Sequence, residues 1–323
     1  MTTSIHITTT VTDGELAYFR RDAERLQVLL ARCRTCDVRL EEEAGIAEIV
    51  LFVGSMHRGL QDVRASCIFR KDPSKCFIVH GGDDPLPTVP GIYASVPSRW
   101  YDPLQHRAGF YLRTALHDPT DCFADIAPEY LFSFVGAGAN HPVREQILAL
   151  QGAGGLFIDS ARDPVPPCEA KARFVESLRA SLFVLCPRGG GTSSFRIFET
   201  MMAGRVPVII SDDWVEPKGP NWGQFALRVR EREVAAIPKM LEEAAGLGLD
   251  MGRRARQAWE VWFSPQTAGA TLFSWVMELK AGMDDKGRQP VAPGLAALAA
   301  ADSMRMAFGR VLRGRWHQGR LES

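Results

Sequence analysis

Several features that would mark a specialised class of protein are missing from this 323-residue sequence. The 38 basic and 38 acidic residues cancel, so no overall charge draws the chain towards nucleic acid, and we expect no nucleic-acid partner. No hydrophobic run reaches the length of a membrane span. The first residues lack a basic patch followed by an apolar stretch, so we expect no signal peptide. What remains is the composition of a globular protein long enough for two domains.

The cysteines do not form a disulfide framework, because the seven of them are irregularly spaced and odd in number. Cys33 and Cys36 have the CxxC spacing of a redox pair or of half a zinc site. No second CxxC and no His pair accompany them. We therefore interpret them as ordinary thiols and expect a reducing, cytoplasmic setting.

Short apolar runs alternate with helical patterns along most of the chain. The runs typical of buried strands are residues 47–54, 76–80, 130–136, 156–159, 182–186 and 206–210. Helical patterns separate the later runs at βα spacing, which favours parallel sheets covered on both faces. We predict an α/β fold with a first domain over residues 1–128 and a second over residues 129–282.

The remaining residues, 283–323, are rich first in alanine and then in arginine. Apolar residues recur there at helical spacing, which predicts a basic helical tail. We interpret it as a helix packed across the domains. Peripheral contact with the inner membrane surface is the alternative.

The segment from Leu182 to Trp222 says most about function. It has the pattern strand, glycine-rich loop, helix, strand. The loop contains three consecutive glycines, beginning at Gly189, and ends with Ser193 and Ser194. Glycine lets backbone N–H groups approach an anion closely, and the next helix presents its positive end there. The segment therefore predicts a site for a phosphate-bearing ligand, at the strand end where α/β sheets place ligands.

Charged side chains flank this loop. Arg188 and Arg196 can each hold phosphate oxygens with two N–H groups. Glu199, one turn further along the helix, is placed to accept hydrogen bonds from a ribose. Since the helix is apolar on most sides, Arg196 and Glu199 must either pair with each other or line a cleft. The chain lacks GxxxxGK[ST], and GxGxxG is present only as a fragment, which excludes a P-loop protein and disfavours a dinucleotide oxidoreductase.

The same residues resemble the nucleotide-sugar-binding region of the exostosin family of glycosyltransferases (family 47). The resemblance begins with a strand and loop at residues 133–136 followed by Arg144, and continues through Pro187-Arg188-Gly189, Ser194-Phe195-Arg196 and Glu199. It extends over Val206-Pro207-Val208, Ser211, Trp214, Pro217 and Asn221-Trp222. In total it covers about residues 129–282, whereas the first 128 residues resemble the family only loosely.

The resemblance implies a GT-B-like fold, in which two Rossmann-like domains face a cleft. It implies inverting transfer of a sugar from a nucleoside diphosphate sugar, most often a UDP-sugar, to a hydroxyl of a glycan or small-molecule acceptor. It also implies that no metal or other cofactor is essential. By the same resemblance Arg144, Arg188, Ser194 and Arg196 hold the diphosphate and Glu199 binds the ribose.

The general base that such a transfer needs is expected in the opposite domain. His80, Asp83 and Asp84 follow a predicted strand end, and His57 follows another. We favour Asp83 or Asp84, although such residues also serve as turn and capping groups. Asp212 and Asp213 are interpreted as structural, and Trp214 and Trp222 as packing residues rather than rings that stack on the ligand.

Two other functions fit the motif. One is an inactive relative that binds a nucleotide or glycan as a partner module. The other is a different phosphoryl-ligand enzyme on the same fold, such as a sugar-phosphate epimerase. Turnover that releases a free nucleotide separates the transferase from both.

Overall fold

Parallel strands form two separate sheets in the computed structural model, which describes residues 2–9, 16–33, 35–54, 63–83, 85–115, 122–150 and 154–286. Asp84, His57 and most of the predicted tail lie outside these residues. The membrane contact and the cytoplasmic setting therefore stay predictions. Among the described helices, none combines the length and apolar content that a membrane crossing needs.

The first sheet has six strands in the order β2-β1-β3-β4-β5-β6, with every neighbouring pair parallel. They are β1 (Thr3–Thr9), β2 (Val38–Leu40), β3 (Ile49–Gly54), β4 (Cys76–His80), β5 (Gly91–Tyr93) and β6 (His106–Ala108). Its helices within the described residues are α1 (Leu16–Arg32), α2 (Cys67–Lys71) and α3 (Leu112–Ala115). Every residue of β3 and β4 is buried, which explains why their sequences are continuous apolar runs.

The second sheet has five strands in the order β11-β10-β9-β7-β8, again all parallel. They are β7 (Tyr130–Val135), β8 (Gly155–Ile158), β9 (Ser181–Pro187), β10 (Val206–Ile210) and β11 (Leu227–Val229). Its helices are α4 (Pro142–Leu148), α5 (Pro167–Ala180), α6 (Phe195–Met202), α7 (Ile237–Ala244) and α8 (Gly248–Trp262). The two sheets with their helices form the α/β, GT-B-like fold that the sequence predicts, with the domains facing a cleft.

The last described helix, α9 (Ala268–Lys286), crosses back to the first domain. Leu272, Trp275 and Val276 are buried in the same apolar cluster as Leu26 and Leu29 of α1. At Gly269 the two helices approach so closely that a Cβ would lie 2.6 Å from the carbonyl carbon of Leu29. Sequence order alone assigned this helix to the second domain, whereas its packing joins it to the first.

Short 3₁₀ segments complete the described connections: Pro73–Lys75, Ser98–Trp100, Gly138–Asn140, Trp222–Gln224, Glu231–Ala236 and Ala245–Leu247. Trp214 and Trp222 lie in the loop after β10, where each is 4% exposed and their ring centroids are 5.0 Å apart, edge to face. The Trp222 Nε1–H donates to the carbonyl of Pro217 at 2.9 Å. The prediction that these rings pack the loop onto the core is confirmed.

Cys33 and Cys36 are joined by a disulfide, so interpreting this pair as ordinary thiols was wrong. The chain turns after α1 and brings their Cα atoms to 5.5 Å, within the distance that a disulfide spans. The described cysteines without a disulfide are Cys67, Cys76, Cys122, Cys168 and Cys186.

Candidate active site

A cleft of about 340 Å³ lies between the two domains, at the carboxyl ends of their parallel strands. The glycine-rich loop after β9 forms one wall, and the residues after β4 and around α3 form the other. The residues that line the cleft are Asp83, Tyr111, Arg113, Asn140, Arg144, Phe174, Gly189, Gly190, Ser193, Ser194, Phe195, Arg196 and Glu199. Most of the residues predicted for ligand binding are thus brought together.

The glycine-rich loop serves both the cleft and the contact between domains. Gly189 and Gly190 line the cleft, as expected of residues that approach an anion. Gly191 instead faces the first domain, where an added Cβ would lie 2.7 Å from the Asp83 Cα. The Ser193 N–H donates to Ser95 Oγ at 3.0 Å, so this donor is not available to a ligand. Gly191 therefore allows the domains to meet, whereas Gly189, which was predicted to bind the ligand, lines the cleft.

Arg144 is held by carbonyl oxygens rather than by a carboxylate. It lies on α4, which begins at Pro142 as predicted, and it is 7% exposed. Its Nε donates to the carbonyl of Arg188 at 2.8 Å, and Nη1 donates to that of Ala137 at 3.4 Å. Burial and the nearby charge of Arg196 lower the pKa of Arg144 to about 10. Both causes disfavour an unpaired cation, so an anion in the cleft would be stabilised there.

Arg196 is oriented from the first turn of α6. Ser194 caps this helix, its Oγ accepting from the Arg196 N–H at 3.4 Å. The Arg196 guanidinium donates to the carbonyl of Val135 and lies 5.3 Å from the centroid of the Phe134 ring. Burial lowers the pKa of Arg196. Its Nε is buried without a hydrogen-bond partner among the described residues, which leaves a donor for a ligand.

Glu199 lies one turn along α6 and also lines the cleft. Burial raises its pKa, and the charges of Arg196 and Arg113 oppose that rise. The two predicted alternatives were a pair formed only with Arg196 or a position in a cleft. Both side chains line the cleft, as the second alternative requires.

The Arg188 side chain is not among the residues that line the cleft. Its Nη1 lies 3.7 Å from Glu231 Oε1, and its carbonyl accepts from Arg144. Arg188 thus supports Arg144 through its backbone. Direct contact between its guanidinium and a phosphate stays a prediction.

The structure separates the candidates for the general base. Asp83 lines the cleft, and its Oδ1 accepts a hydrogen bond from the Tyr111 hydroxyl at 3.2 Å. His80 is 2% exposed and its Nδ1 accepts from the Gly82 N–H at 3.2 Å, so its ring supports the turn. The His80 ring packs near Tyr93 and is not among the residues that line the cleft, so a catalytic role for His80 stays a prediction.

Asp212 and Asp213 are structural, as predicted. Asp213 Oδ1 accepts from Ser98 Oγ at 2.9 Å and Oδ2 pairs with Arg99, which ties the second domain to the first. Asp212 Oδ1 accepts from the Glu231 N–H at 3.1 Å.

Sequence reasoning missed the contribution of α3 and the residue before it. Tyr111 stacks on Phe195 with ring centroids 3.9 Å apart, and the Arg113 guanidinium carbon lies 4.2 Å from the centroid of the Phe195 ring. This helix has only four residues and carries no motif. The available signal was a lone cation, Arg113, directly after the apolar run Phe110-Tyr111-Leu112.

Comparison with known proteins finds that the second domain is similar to a glycosyltransferase family. Residues 125–244 match the family model of the exostosin GT47 domain. Exostosin-1 homolog of Caenorhabditis elegans is 44% identical over 68 residues, which are 20% of this chain and 18% of that protein. Exostosin-1 of Drosophila melanogaster is 34% identical over 89 residues, 27% of this chain and 12% of that protein. These matches span less than a fifth of the length of each relative.

One solved structure that is similar to this chain is that of the glycosyltransferase from Rickettsia africae ESF-5. It has a TM-score of 0.45 and 10% identity, covering 86% of this chain and 98% of that one. The match to the exostosin GT47 model over residues 125–244 confirms the resemblance inferred from the sequence. The matched range contains Arg144, Ser194, Arg196 and Glu199.

Proposed function

We propose that this protein is an inverting glycosyltransferase that moves a sugar from a nucleoside diphosphate sugar to a hydroxyl acceptor. The donor that we propose first is a UDP-sugar. The observation that carries the proposal is one cleft in which Arg144 and Arg196 of the exostosin GT47 domain face Asp83 of the first domain. We place the reaction in the synthesis of a glycan or polysaccharide.

The second domain supplies the donor site. Both arginines donate to neutral carbonyls, so their charges remain available to the oxygens of a diphosphate. Preorganised cations of this kind stabilise the charge that grows on the leaving group. They also take over the neutralising role of a metal ion, and the proposal therefore includes no essential metal. Glu199 accepts hydrogen bonds from the ribose.

The first domain supplies the base. The carboxylate of Asp83 takes the proton of the acceptor hydroxyl as its oxygen attacks the anomeric carbon. The bond from that carbon to the diphosphate oxygen breaks, and the nucleoside diphosphate leaves with the electron pair. Attack from the face opposite the leaving group inverts the anomeric centre.

The test measures nucleotide release from a panel of UDP-, GDP-, dTDP- and CMP-sugars by the wild type and by Arg196→Ala, with and without EDTA. Arg254→Ala is the matched control, because that side chain is 49% exposed on α8. We expect one donor to be hydrolysed slowly by the wild type and the control, with or without EDTA, and not by Arg196→Ala. Binding of a nucleotide without release from any donor would favour an inactive nucleotide-binding relative. No binding at all would contradict the assignment of the cleft.

A further inference from the structure

The first domain places a cation in the half of the cleft that the second domain builds. Arg113 lies on α3, and of the described cations that line the cleft, Arg113, Arg144 and Arg196, it alone precedes the second domain in the chain. Its guanidinium carbon is 4.2 Å from the centroid of Phe195, the first residue of α6. The cation thus reaches across the cleft to the helix end that carries Arg196.

Local packing fixes this position. Leu112, Thr114 and Ala115 are buried, so Arg113 is the residue of α3 whose side chain turns to the cleft. Thr114 Oγ1 donates to the carbonyl of Tyr111 at 2.7 Å, and the Tyr111 ring stacks on Phe195. A helix of four residues would not fix the Arg113 side chain by itself. These contacts hold the helix in place and so fix the position of Arg113.

The charged side chains that line the cleft favour an anionic ligand beside Arg113. Three cations, Arg113, Arg144 and Arg196, line it together with two carboxylates, Asp83 and Glu199. Arg144 and Arg196 donate to carbonyl oxygens and Arg113 lies over an aromatic ring. Since a partly buried cation gains most from an ionised acceptor, the surplus positive charge favours a polyanion spanning both domains.

We propose that Arg113 binds the sugar-bearing, terminal phosphate of the donor. This inference rests on the proposed function and adds a donor contact from the acceptor-side domain. The sugar must lie between the terminal phosphate and Asp83, so of the two phosphates the terminal one is nearer to the first domain. Arg113 neutralises it as the bond to the sugar breaks, and the inner phosphate remains with the glycine-rich loop and the second-domain arginines.

The experiment compares the binding of UDP with that of UMP by calorimetry, and of GDP with GMP if the uridine nucleotides do not bind. A terminal-phosphate contact predicts that Arg113→Gln weakens diphosphate binding about tenfold to a hundredfold and leaves monophosphate binding within about twofold. Arg113→Lys keeps the charge and is expected to recover part of the loss. Phe195→Leu removes the ring but not the cation, and is expected to change both affinities by a similar factor.

Equal losses of diphosphate and monophosphate affinity in Arg113→Gln would overturn the inference in favour of a purely structural role. Unchanged affinities in that variant would overturn it by excluding any contact. If the wild type itself binds neither these four nucleotides nor dTDP, the proposed function fails first, and this result is distinguishable because it does not involve a variant. Melting curves of Arg113→Lys and Arg113→Gln confirm that both variants are folded.

Discussion

At the scale of single residues, Asp83 is the proposed base that takes the proton of the acceptor hydroxyl. Its carboxylate lines the cleft and is held by the Tyr111 hydroxyl at 3.2 Å. We predict that Asp83→Asn lowers kcat about 10²- to 10⁴-fold, because the amide cannot accept the proton, and leaves donor affinity nearly unchanged. Steady-state kinetics together with calorimetric donor binding check this.

The control for this substitution is Asp163→Asn, since the Asp163 side chain is 64% exposed and is not among the residues that line the cleft. A kcat for Asp83→Asn close to that of the control would remove Asp83 from the role of base. Asp84, which lies outside the described residues, would then be the next candidate.

Gly191 is the residue at which the two domains approach most closely in the glycine-rich loop. A methyl group there would collide with the Asp83 backbone, whose Cα lies 2.7 Å from the Cβ position. We predict that Gly191→Ala forces the domains apart, lowers kcat at least tenfold and lowers the melting temperature by a few degrees. Activity assays and calorimetric melting measure both effects.

Gly246→Ala is the matched control, because no atom lies within 4 Å of the Cβ position there. It is expected to be neutral or slightly stabilising. Full activity of Gly191→Ala would mean that the contact between the glycine-rich loop and Asp83 is not needed for the reaction.

At the scale of elements, α9 joins the first domain through a glycine contact with α1. The Cβ of an alanine at position 269 would lie 2.6 Å from the Leu29 carbonyl carbon, whereas nothing lies within 4 Å of that at position 282 on the same helix. We predict that Gly269→Ala destabilises the protein by about 1–3 kcal/mol and that Gly282→Ala stabilises it by up to about 1 kcal/mol. Urea unfolding of both variants measures these changes in the free energy of unfolding.

If both variants instead gained stability, helix propensity would dominate and the close packing of α9 on α1 would be contradicted. The two variants can be compared directly, because the same substitution is made at two positions of one helix.

His106 makes β6 sensitive to acid. Burial lowers the pKa of His106 to about 4, although the nearby charge of Asp102 and a hydrogen bond to the Pro87 carbonyl oppose the shift and Arg107 adds to it. Its Nδ1 accepts from the Asp102 N–H at 3.1 Å, so protonation would break that bond. The lowered pKa means that this contribution to stability is complete above about pH 6.5 and is lost as the pH falls towards 4.

We therefore predict a fall of about 3 kcal/mol in the free energy of unfolding between these two pH values from this residue. His106→Asn keeps an acceptor near the Nδ1 position but does not titrate. It should show a shallower dependence of the free energy of unfolding on pH, measured by denaturant titration at each pH. An unchanged dependence would place the acid sensitivity elsewhere.

The success of the sequence-based predictions also varies with the element. The apolar runs at β3, β4 and β9 and the glycine-rich loop before α6 carry local signals, and the structure places each as a strand or loop where predicted. Helix α3 could not be predicted, because four residues are too few for a helical pattern and the position of Arg113 depends on a tertiary contact with Phe195. Arg113 was missed for that reason, and the partner of Gly191 was missed because it lies in the other domain.

At the scale of the whole molecule, the cleft depends on contacts between the domains that no local pattern reveals. Pro97 and Trp214 form an antiparallel bridge between the domains, and Asp213 binds Ser98 and Arg99 beside it. Glu278 of α9 pairs with Arg107 of the first domain at 3.2 Å and with Lys218 of the second at 2.8 Å. These contacts explain how residues as distant in sequence as Asp83 and Arg196 line one site.

In the proposed function, a nucleoside diphosphate binds between the domains and contacts both. Amide hydrogen exchange with and without the nucleoside diphosphate that stabilises the protein tests it most directly. We predict increased protection in two separate segments, residues 188–199 of the second domain and residues 111–115 of the first. Protection confined to other parts of the chain, with both segments unchanged, would contradict the account.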